Sequence, residues 1–508
     1  MKSSIPSLRG SFSLILFFFV AVLHAQQPSP SWVHNIVAAG GTDKGSEVAS
    51  DGAGNTYVIG EFNGLVDFDP GPGTTDLSSV PTNFNDRSDV FVVKYNASGN
   101  LVWAFSIGNS DHDWGSHIAV DNDGYVYVCG VIWGSAAADA DPSANTFLVM
   151  GTSSRTSFVA KYNGNLLPSN PAFFQWGFGV PAPSSMSNSP VDIGCDSSGN
   201  VYVGGTFPGT ADFDPGPGVF TLSSSGTYDA YLLKVDGNLT PASPSFFKWA
   251  INLGGTGDDF GAEMTVNDTG RVTIAGSFSQ TNVDFDPSPA GTFLLSSAGS
   301  TDIFAAQYNG NLLPASPSFF QWAFRAGGIN NSAEAILCMT EDNAGCIYVG
   351  GQIISTSTVD MDPSSGTANI TGGRTFFAKY DAAYDPSDPA FFKWAFTLTS
   401  TAAAVPSDLT VDQNGTMYVT GLLSATTFVD FDPSSAVLQL NNQSTSSIYD
   451  DFYAAAYNGN LLPSSTSFFQ WAFPVSSPQN DGGFGITTGP GNQLHITGYY
   501  GFQNADFD

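Results

Sequence analysis

"FFQWAF", residues 319–324, is one of five near-copies of a single word: "FFQWGF" at 173–178, "FFKWAI" at 246–251, "FFKWAF" at 391–396 and "FFQWAF" again at 468–473. The tryptophans in these words extend a longer series, Trp32, Trp103, Trp176, Trp249, Trp322, Trp394 and Trp471, spaced by 71, 73, 73, 73, 72 and 77 residues. Self-similarity at a fixed period identifies a repeat architecture. The units run 32–102, 103–175, 176–248, 249–321, 322–393 and 394–470, with a partial unit at 471–508.

The third unit shows what each repeat contains. "PVDIGCD" (190–196) has the length of a short strand, and "SSGN" is a turn with a glycine available for positive φ. "VYVGGTF" (201–207) is a second strand, rich in β-branched and aromatic residues. A segment containing "ADFDPGPG" follows, then a strand "AYLLKV", a Pro/Ser loop and the "FFKW" strand. No unit carries a 3.6-residue apolar period, so the expectation is all-β with almost no helix.

Four short antiparallel strands per unit describe a propeller blade. Both faces of a blade pack on neighbours, which accounts for strands such as "VFVVKY" that are apolar at nearly every position. Glycines ending the second strands (Gly60, Gly130, Gly205, Gly276, Gly350, Gly421 and Gly498) are expected where backbones approach closely. The expected fold is a seven-bladed β-propeller of four-stranded blades over residues 31–508. Its last blade is shared between the chain ends. "FGITTG" and "LHITGYY" supply strands one and two, Trp32 marks strand four, and strand three is missing. The chain is expected to be a fragment of a longer one.

The words "DSSGNVYVGGTF", "VDFDPGPG" and "DAYLLKVDGN" resemble the SBBP-type β-propeller repeats of exported bacterial proteins. The resemblance covers about residues 31–508. It implies the propeller fold and brings no catalytic residues with it. It also implies that relatives carry adhesive modules and a C-terminal sorting domain.

Lys2 and Arg9 followed by the apolar run Leu14–Leu23 and a small Ala25 read as a secretory signal peptide, residues 1–25. The expected location is secreted or at the cell surface, with no transmembrane segment in the mature chain. The formal charge is −31, and removing the leader deletes two cations and no acid. With no basic stripe, nucleic acid is excluded as a partner. The expected partner is an extracellular ligand, glycan or protein, met by a monomer. Cys129, Cys195, Cys338 and Cys346 show no zinc spacing and read as small strand residues.

An acidic motif recurs in every unit. Its copies are Asp67 and Asp69, Asp139 and Asp141, Asp212 and Asp214, Asp284 and Asp286, Asp360 and Asp362, and Asp430 and Asp432, each pair followed by Pro. A seventh begins at Asp506 and Asp508. In an extended segment the two carboxylates share one face, expected to be presented outward, and the middle residue packs on the other. Three readings stay open: an Asx-type turn within a hairpin, a calcium site built on hard oxygen ligands, or a catalytic acid pair. Repetition in every blade argues against catalysis, which needs one asymmetric set of groups.

A second set lies four residues before each turn Asp or Asn: Glu47, His117, Asp192, Glu263 and Asp408. These are expected near the mouth of the central channel. The stretch "SDHDWGSH" (110–117) breaks the symmetry and adds His112, Asp113 and Trp114 as ligand candidates. No nucleophile elbow, HExxH or phosphate loop is present. The function expected is a non-catalytic scaffold for binding or adhesion, with calcium as a candidate stabiliser. The rivals are a polysaccharide-active enzyme using channel carboxylates and a purely structural surface protein.

Overall fold

The computed structural model describes residues 13–20, 30–36, 43–80, 87–149, 155–181, 189–328, 334–353, 358–371, 375–398, 404–424, 428–440, 450–477 and 480–500. Among them there is no helix.

The chain is an all-β propeller with six blades of four-stranded antiparallel sheets, each built from contiguous sequence. Blade 1 comprises Lys44–Ser50, Thr56–Phe62, Asp89–Tyr95 and Leu101–Ile107. Blade 2 comprises Trp114–Val120, Tyr125–Trp133, Arg155–Asn163 and Phe174–Pro181. The same order continues to blade 6, Ala404–Val411 through Phe469–Val475. The second and third strands are buried on both faces, as their unbroken apolar sequences require.

A further four-stranded sheet joins the chain ends, in the order Pro30–Ile36, Ser13–Val20, Gln493–Tyr500, Asp481–Gly489. Strands one, two and four are where the sequence places them. The third position is not vacant: Ser13–Val20, the apolar heart of the expected leader, pairs there with both neighbours. Two facing strand edges offer unpaired N–H and C=O groups, and an extended apolar segment satisfies both rows.

The Asp-x-Asp motif forms the expected hairpin in all six blades, for example Leu65–Asp67 against Asp76–Ser78. Its middle residue (Phe68, Ala140, Phe213, Phe285, Met361 or Phe431) is at most 1% exposed. The expectation that both carboxylates face outward needs correction. Asp67 and Asp284 are exposed, but Asp139, Asp212, Asp360 and Asp430 are half-buried. The second carboxylate is withdrawn in every copy: Asp69, Asp214, Asp286 and Asp362 are half-buried, and Asp141 and Asp432 are buried. The physical reason is that the chain doubles back after the proline and brings its own backbone N–H groups over the second Asp. The pair at Asp506 and Asp508 lies outside the described residues.

Gly60, Gly130, Gly276, Gly421 and Gly498 do face a close backbone, but it belongs to the first strand of their own sheet. A Cβ on Gly60 would sit 2.1 Å from the Lys44 carbonyl oxygen. In blade 5 that place is taken by Gly351, 2.1 Å from the Ala335 oxygen, one position beyond Gly350. All four cysteines are free thiols.

Adjacent blades are joined by a repeated clasp. In blade 1 the Lys94 ammonium lies 4.8 Å from the centre of the Tyr57 ring and donates to the Gly164 carbonyl of blade 2. The Trp103 indole N–H donates to the same carbonyl, at 3.2 Å. Lys161 and Trp176 repeat this on Gly237, Lys234 and Trp249 on Gly310, and Lys379 and Trp394 on Gly459. The acceptor is glycine because a Cβ there would crowd the turn carbonyl of its own blade, 2.8 Å away for Gly164 and 2.6 Å for Gly237; at Gly310 it would also lie 2.6 Å from the Tyr202 ring of the preceding blade.

Between blades 4 and 5 all three partners change together. Thr273, Gln307 and Ala382 replace Tyr, Lys and Gly, Gln307 donates to Thr273 instead, and the Trp322 indole N–H is buried without a partner. A buried hydrogen bond between neutral groups is worth about 0.5–1.5 kcal/mol. Trp249→Phe, which deletes one clasp donor, should therefore lower the melting temperature measurably in calorimetry. The triple change Thr273→Tyr, Gln307→Lys and Ala382→Gly should raise it by supplying the missing clasp.

Candidate functional site

A β-bulge interrupts the first strand of every sheet at the same place, for example between Gly45 and Glu47 and between Pro406 and Asp408. A bulge re-aims the side chain that follows it. The residues so turned are Glu47, His117, Asp192, Glu263, Cys338, Asp408 and Gly485, one per sheet. The first strands pack against one another in sequence around the axis, so these residues converge. Five of the seven are the channel candidates named from the sequence. Cys338 and Gly485 complete the set and obey the same rule, four residues before the turn at Asp342 and Gly489.

Glu47, His117, Asp192, Glu263 and Asp408 line a cavity of about 230 Å³. Asp192 accepts from the Ile193 N–H at 2.6 Å and, across to blade 4, from the Met264 N–H at 2.9 Å. Asp408 does the same with Leu409 and with Ile486 of the closing sheet, both at 2.7 Å. Glu47 accepts from its neighbour's N–H at 2.8 Å and is hydrogen-bonded to Asp408. Glu47 reaches across Gly485, where a Cβ would lie 2.7 Å from its carboxylate oxygen. His117 Nδ1 lies 3.4 Å from Asp192 and 3.9 Å from Glu47.

Four carboxyls at one level in a narrow channel cannot all ionise. Burial, reinforced by neighbouring carboxylates, pushes Asp192 up to about 7 and holds Glu47 and Glu263 well above the ordinary range. Burial also pushes Asp408 up to about 7. Burial lowers His117 to about 4, so the imidazole is neutral where the acids keep their protons. The ring can therefore take up and release protons near neutrality. Among the described residues no three His, Cys, Asp or Glu side chains group as metal ligands.

His112, Asp113 and Trp114 are not part of this ring. The strand start that carries them lies on the hairpin face, beyond the bulge from His117. Asp113 is fully buried and accepts from the N–H groups of Asn109 (2.6 Å) and Trp133 (2.8 Å), a structural role. His112 Nδ1 sits 2.9 Å from Ser88 Oγ and its Nε2 3.4 Å from Glu61, bridging blades 1 and 2.

The acidic hairpins have their own chemistry. Asp67 Oδ1 accepts from the N–H groups of Asp69 and Thr75, and Asp69 Oδ1 from that of Gly71. The first carboxylates of the other copies do the same. Asp139 accepts from Asp141 and Phe147, Asp212 from Asp214 and Phe220, and Asp284 from Asp286 and Phe293. Asp360 accepts from Asp362 and Ala368, and Asp430 from Asp432 and Leu438. The second carboxylates each take the N–H two residues on. Asp141 accepts from Ser143, Asp214 from Gly216, Asp286 from Ser288, Asp362 from Ser364 and Asp432 from Ser434.

The calcium candidates of the sequence therefore do not present pairs of free oxygens. In Asp69, Asp141, Asp214, Asp286, Asp362 and Asp432 alike, Oδ1 already holds a backbone N–H. The remaining oxygen of Asp69 lies over Gly73, at 2.1 Å from where a Cβ would be. The corresponding oxygens of Asp214, Asp286 and Asp362 lie over Gly218, Gly291 and Gly366, at 2.2, 1.7 and 2.2 Å. These loops require glycine because the carboxylate occupies that space.

A family model described as a β-propeller repeat, SBBP, matches residues 105–135, from the end of the outer strand of blade 1 through the inner pair of blade 2. The chain carries an SBBP β-propeller repeat. It is 29% identical over 237 residues to the regulatory protein FlaEY of Caulobacter vibrioides, covering 44% of this chain and 21% of that protein. It is 24% identical over 164 residues to a WD repeat-containing protein of Acanthamoeba polyphaga mimivirus, covering 32% of this chain and 11% of the other. The chain thus spans about a fifth or less of these relatives. Among solved structures it is similar to the polysaccharide lyase Uly1, at 8% identity and a TM-score of 0.36, with 97% of this chain and 99% of that one covered.

The raised carboxyls tie stability to pH. A carboxyl whose folded value lies above its ordinary one binds its proton more tightly folded than unfolded. It therefore stabilises most fully below about 4, and that contribution is lost as pH rises through about 7. His117 acts oppositely, its contribution being lost as pH falls from 6.5 towards about 4. With four acids against one histidine, the melting temperature should be higher at pH 5.5 than at pH 8. Asp89 and Asp113, also pushed to about 7 by burial, act in the same direction. The ring's share is read from Asp408→Asn, which should reduce the fall between the two pH values.

Proposed function

We propose that the chain is an exported, non-catalytic seven-bladed β-propeller that serves as a monomeric scaffold for extracellular binding or adhesion. The carrying observation is that its most conspicuous chemical motif is spent identically in all six blades. Each Asp-x-Asp pair holds backbone N–H groups of its own hairpin. Such repetition builds a rigid display platform, with the hairpins ringing one face and the Pro/Ser loops the other. Export rests on the charged, apolar and small-residue order of the first 25 residues. Among the described residues no helix is long and apolar enough to cross a membrane.

The seventh blade is the sheet that joins the chain ends. Its support is that Asp481–Gly489 packs against the first strands of both blade 1 and blade 6. Removal of the leader takes Ser13–Val20 out of this sheet, so in the exported chain the ends contribute Pro30–Ile36, Asp481–Gly489 and Gln493–Tyr500.

The enzymatic rival places catalysis at the channel carboxylates. The hydrogen bonds of Glu47, Asp192 and Asp408 to backbone N–H groups and the cavity of about 230 Å³, below the usual 300–1,000 Å³ of ligand pockets, favour a packed plug over a cleft. Calcium, the other candidate, is disfavoured by the filled Oδ1 positions in every hairpin. Thermal unfolding in calcium and in chelator should give the same melting temperature. A rise of several degrees with calcium would restore the metal site at the Asp pairs. Release of reducing ends or unsaturated sugars from polysaccharide, lost in Asp408→Asn, would replace the scaffold reading by the enzymatic one.

A further inference from the structure

Two of the nine tryptophans fall outside the repeat register, Trp114 and Trp133, and both belong to one end of blade 2. Trp114 opens the first strand and Trp133 closes the second. Arg155, opposite Trp133 in the ladder, opens the third. All three lie at the end of the blade that carries the acidic hairpins. The indoles meet edge to face with centroids 6.4 Å apart. The Arg155 guanidinium lies over both, 4.6 Å from the Trp133 centroid and 5.1 Å from that of Trp114. His112 flanks the pair at 5.6 and 6.2 Å.

Arg155 differs from every other described cation in what its charged group meets. Four lysines give their ammonium groups to the glycine carbonyls of the clasps. Six further lysines and arginines pair with carboxylates. Among the described residues, Arg155 alone has neither kind of acceptor, and its guanidinium lies over two aromatic faces. A guanidinium stacked by its face keeps its N–H donors along the edge, in a rigid fork that matches a carboxylate. In a chain of charge −31, leaving such a fork unspent is a departure from the pattern. Carboxylate partners are abundant, and every other described cation has taken a carboxylate or a carbonyl.

The surroundings narrow the ligand. Trp133 is 39% exposed, which leaves aromatic surface beside the fork. The rim is polar: His112 lies against Trp114, and Asp111, paired with Arg87, lies over Gly134 next to Trp133. A pyranose has a flat C–H face for the indole and hydroxyls for the rim. The repulsive field of distant acids is screened beyond about 8 Å at physiological ionic strength. Lys44 joins the same corner through Glu61, which it shares with His112.

We propose that Trp114, Trp133 and Arg155 form a binding site for an acidic saccharide, whose carboxylate takes the guanidinium edge while its C–H face stacks on Trp133. The proposal rests on the binding-scaffold reading and names the ligand class and the place.

The test is titration calorimetry of the full chain with a uronic acid oligosaccharide, its neutral hexose counterpart and an acidic peptide. The uronate should bind at least tenfold more tightly than the neutral sugar and should protect exposed tryptophan from acrylamide quenching. Arg155→Lys keeps the charge and loses the fork, so uronate affinity should fall at least tenfold with melting temperature unchanged. If that variant is destabilised, Trp133→Phe serves instead, with affinity again falling while the fold holds. Uronate binding untouched by both substitutions would overturn this site and leave the scaffold reading standing. Preference for the neutral sugar or the peptide, or no uronate binding, would overturn the ligand class. Failure of a broad glycan and protein screen as well would remove the scaffold reading itself.

Discussion

At four of the five junctions between the six blades, a single carbonyl oxygen, that of the glycine between strands three and four, carries the contact. Two donors from the preceding blade converge on it, a lysine ammonium and an indole N–H, and a tyrosine ring covers the lysine. Burying an ammonium is costly unless it is paired. Here the cost is met by the carbonyl, the aromatic face and nearby acids, and burial still lowers the proton affinity of Lys94, Lys161 and Lys234. The arrangement fixes how far and at what angle each blade sits from the next. Its partners are interdependent: lysine without the glycine carbonyl would be stranded, and at Gly310 and Gly459 both the tyrosine of the preceding blade and the turn carbonyl of their own blade leave no room for a Cβ. The junction between blades 4 and 5 shows this, since Thr273, Gln307 and Ala382 depart from the pattern together.

Once the blades are set, the inner strands come close enough for their bulged residues to meet on the axis. The channel plug follows from that geometry. Asp192 and Asp408 each reach a backbone N–H of the next sheet, which adds inner links to the outer clasps. The channel acids and the hairpin acids differ in kind. The channel set changes from sheet to sheet and shares protons. The hairpin set repeats and is spent on turns. The surface of blade 2 is a third case, where two extra tryptophans and one arginine break the symmetry without any clasp or turn to serve.

Much of this was legible in the sequence because a strand's period of two and a repeat's period of about 73 residues leave plain marks. The tryptophan ruler located all four strands of each blade. The middle residue of Asp-x-Asp announced its own burial. The withdrawal of Asp214, Asp286 and Asp362 did not show, because it depends on where the chain turns back after the proline. The position four before each turn found five of the channel residues. Cys338 and Gly485 obey the same rule and were passed over because neither is a polar residue of the expected kind. The clasps were hidden because Lys94 or Lys234 within an apolar strand looks like a solvated edge, and the acceptor lies 70 or 76 residues away. His112 and His117 are close in sequence and sit in different places because a bulge between them turns the chain. The third strand of the closing sheet lay beyond any repeat logic, since the segment that fills it carries no repeat signature.

The clasp is tested most directly by hydrogen exchange of the indole N–H groups in protein labelled with ¹⁵N-tryptophan. Trp103, Trp176, Trp249 and Trp394 should show slow exchange and downfield shifts typical of a strong hydrogen bond. Trp322, buried without an acceptor, should lack the downfield shift. Rapid exchange of the four, or resonances that do not separate them from Trp322, would contradict the account of how the blades are held.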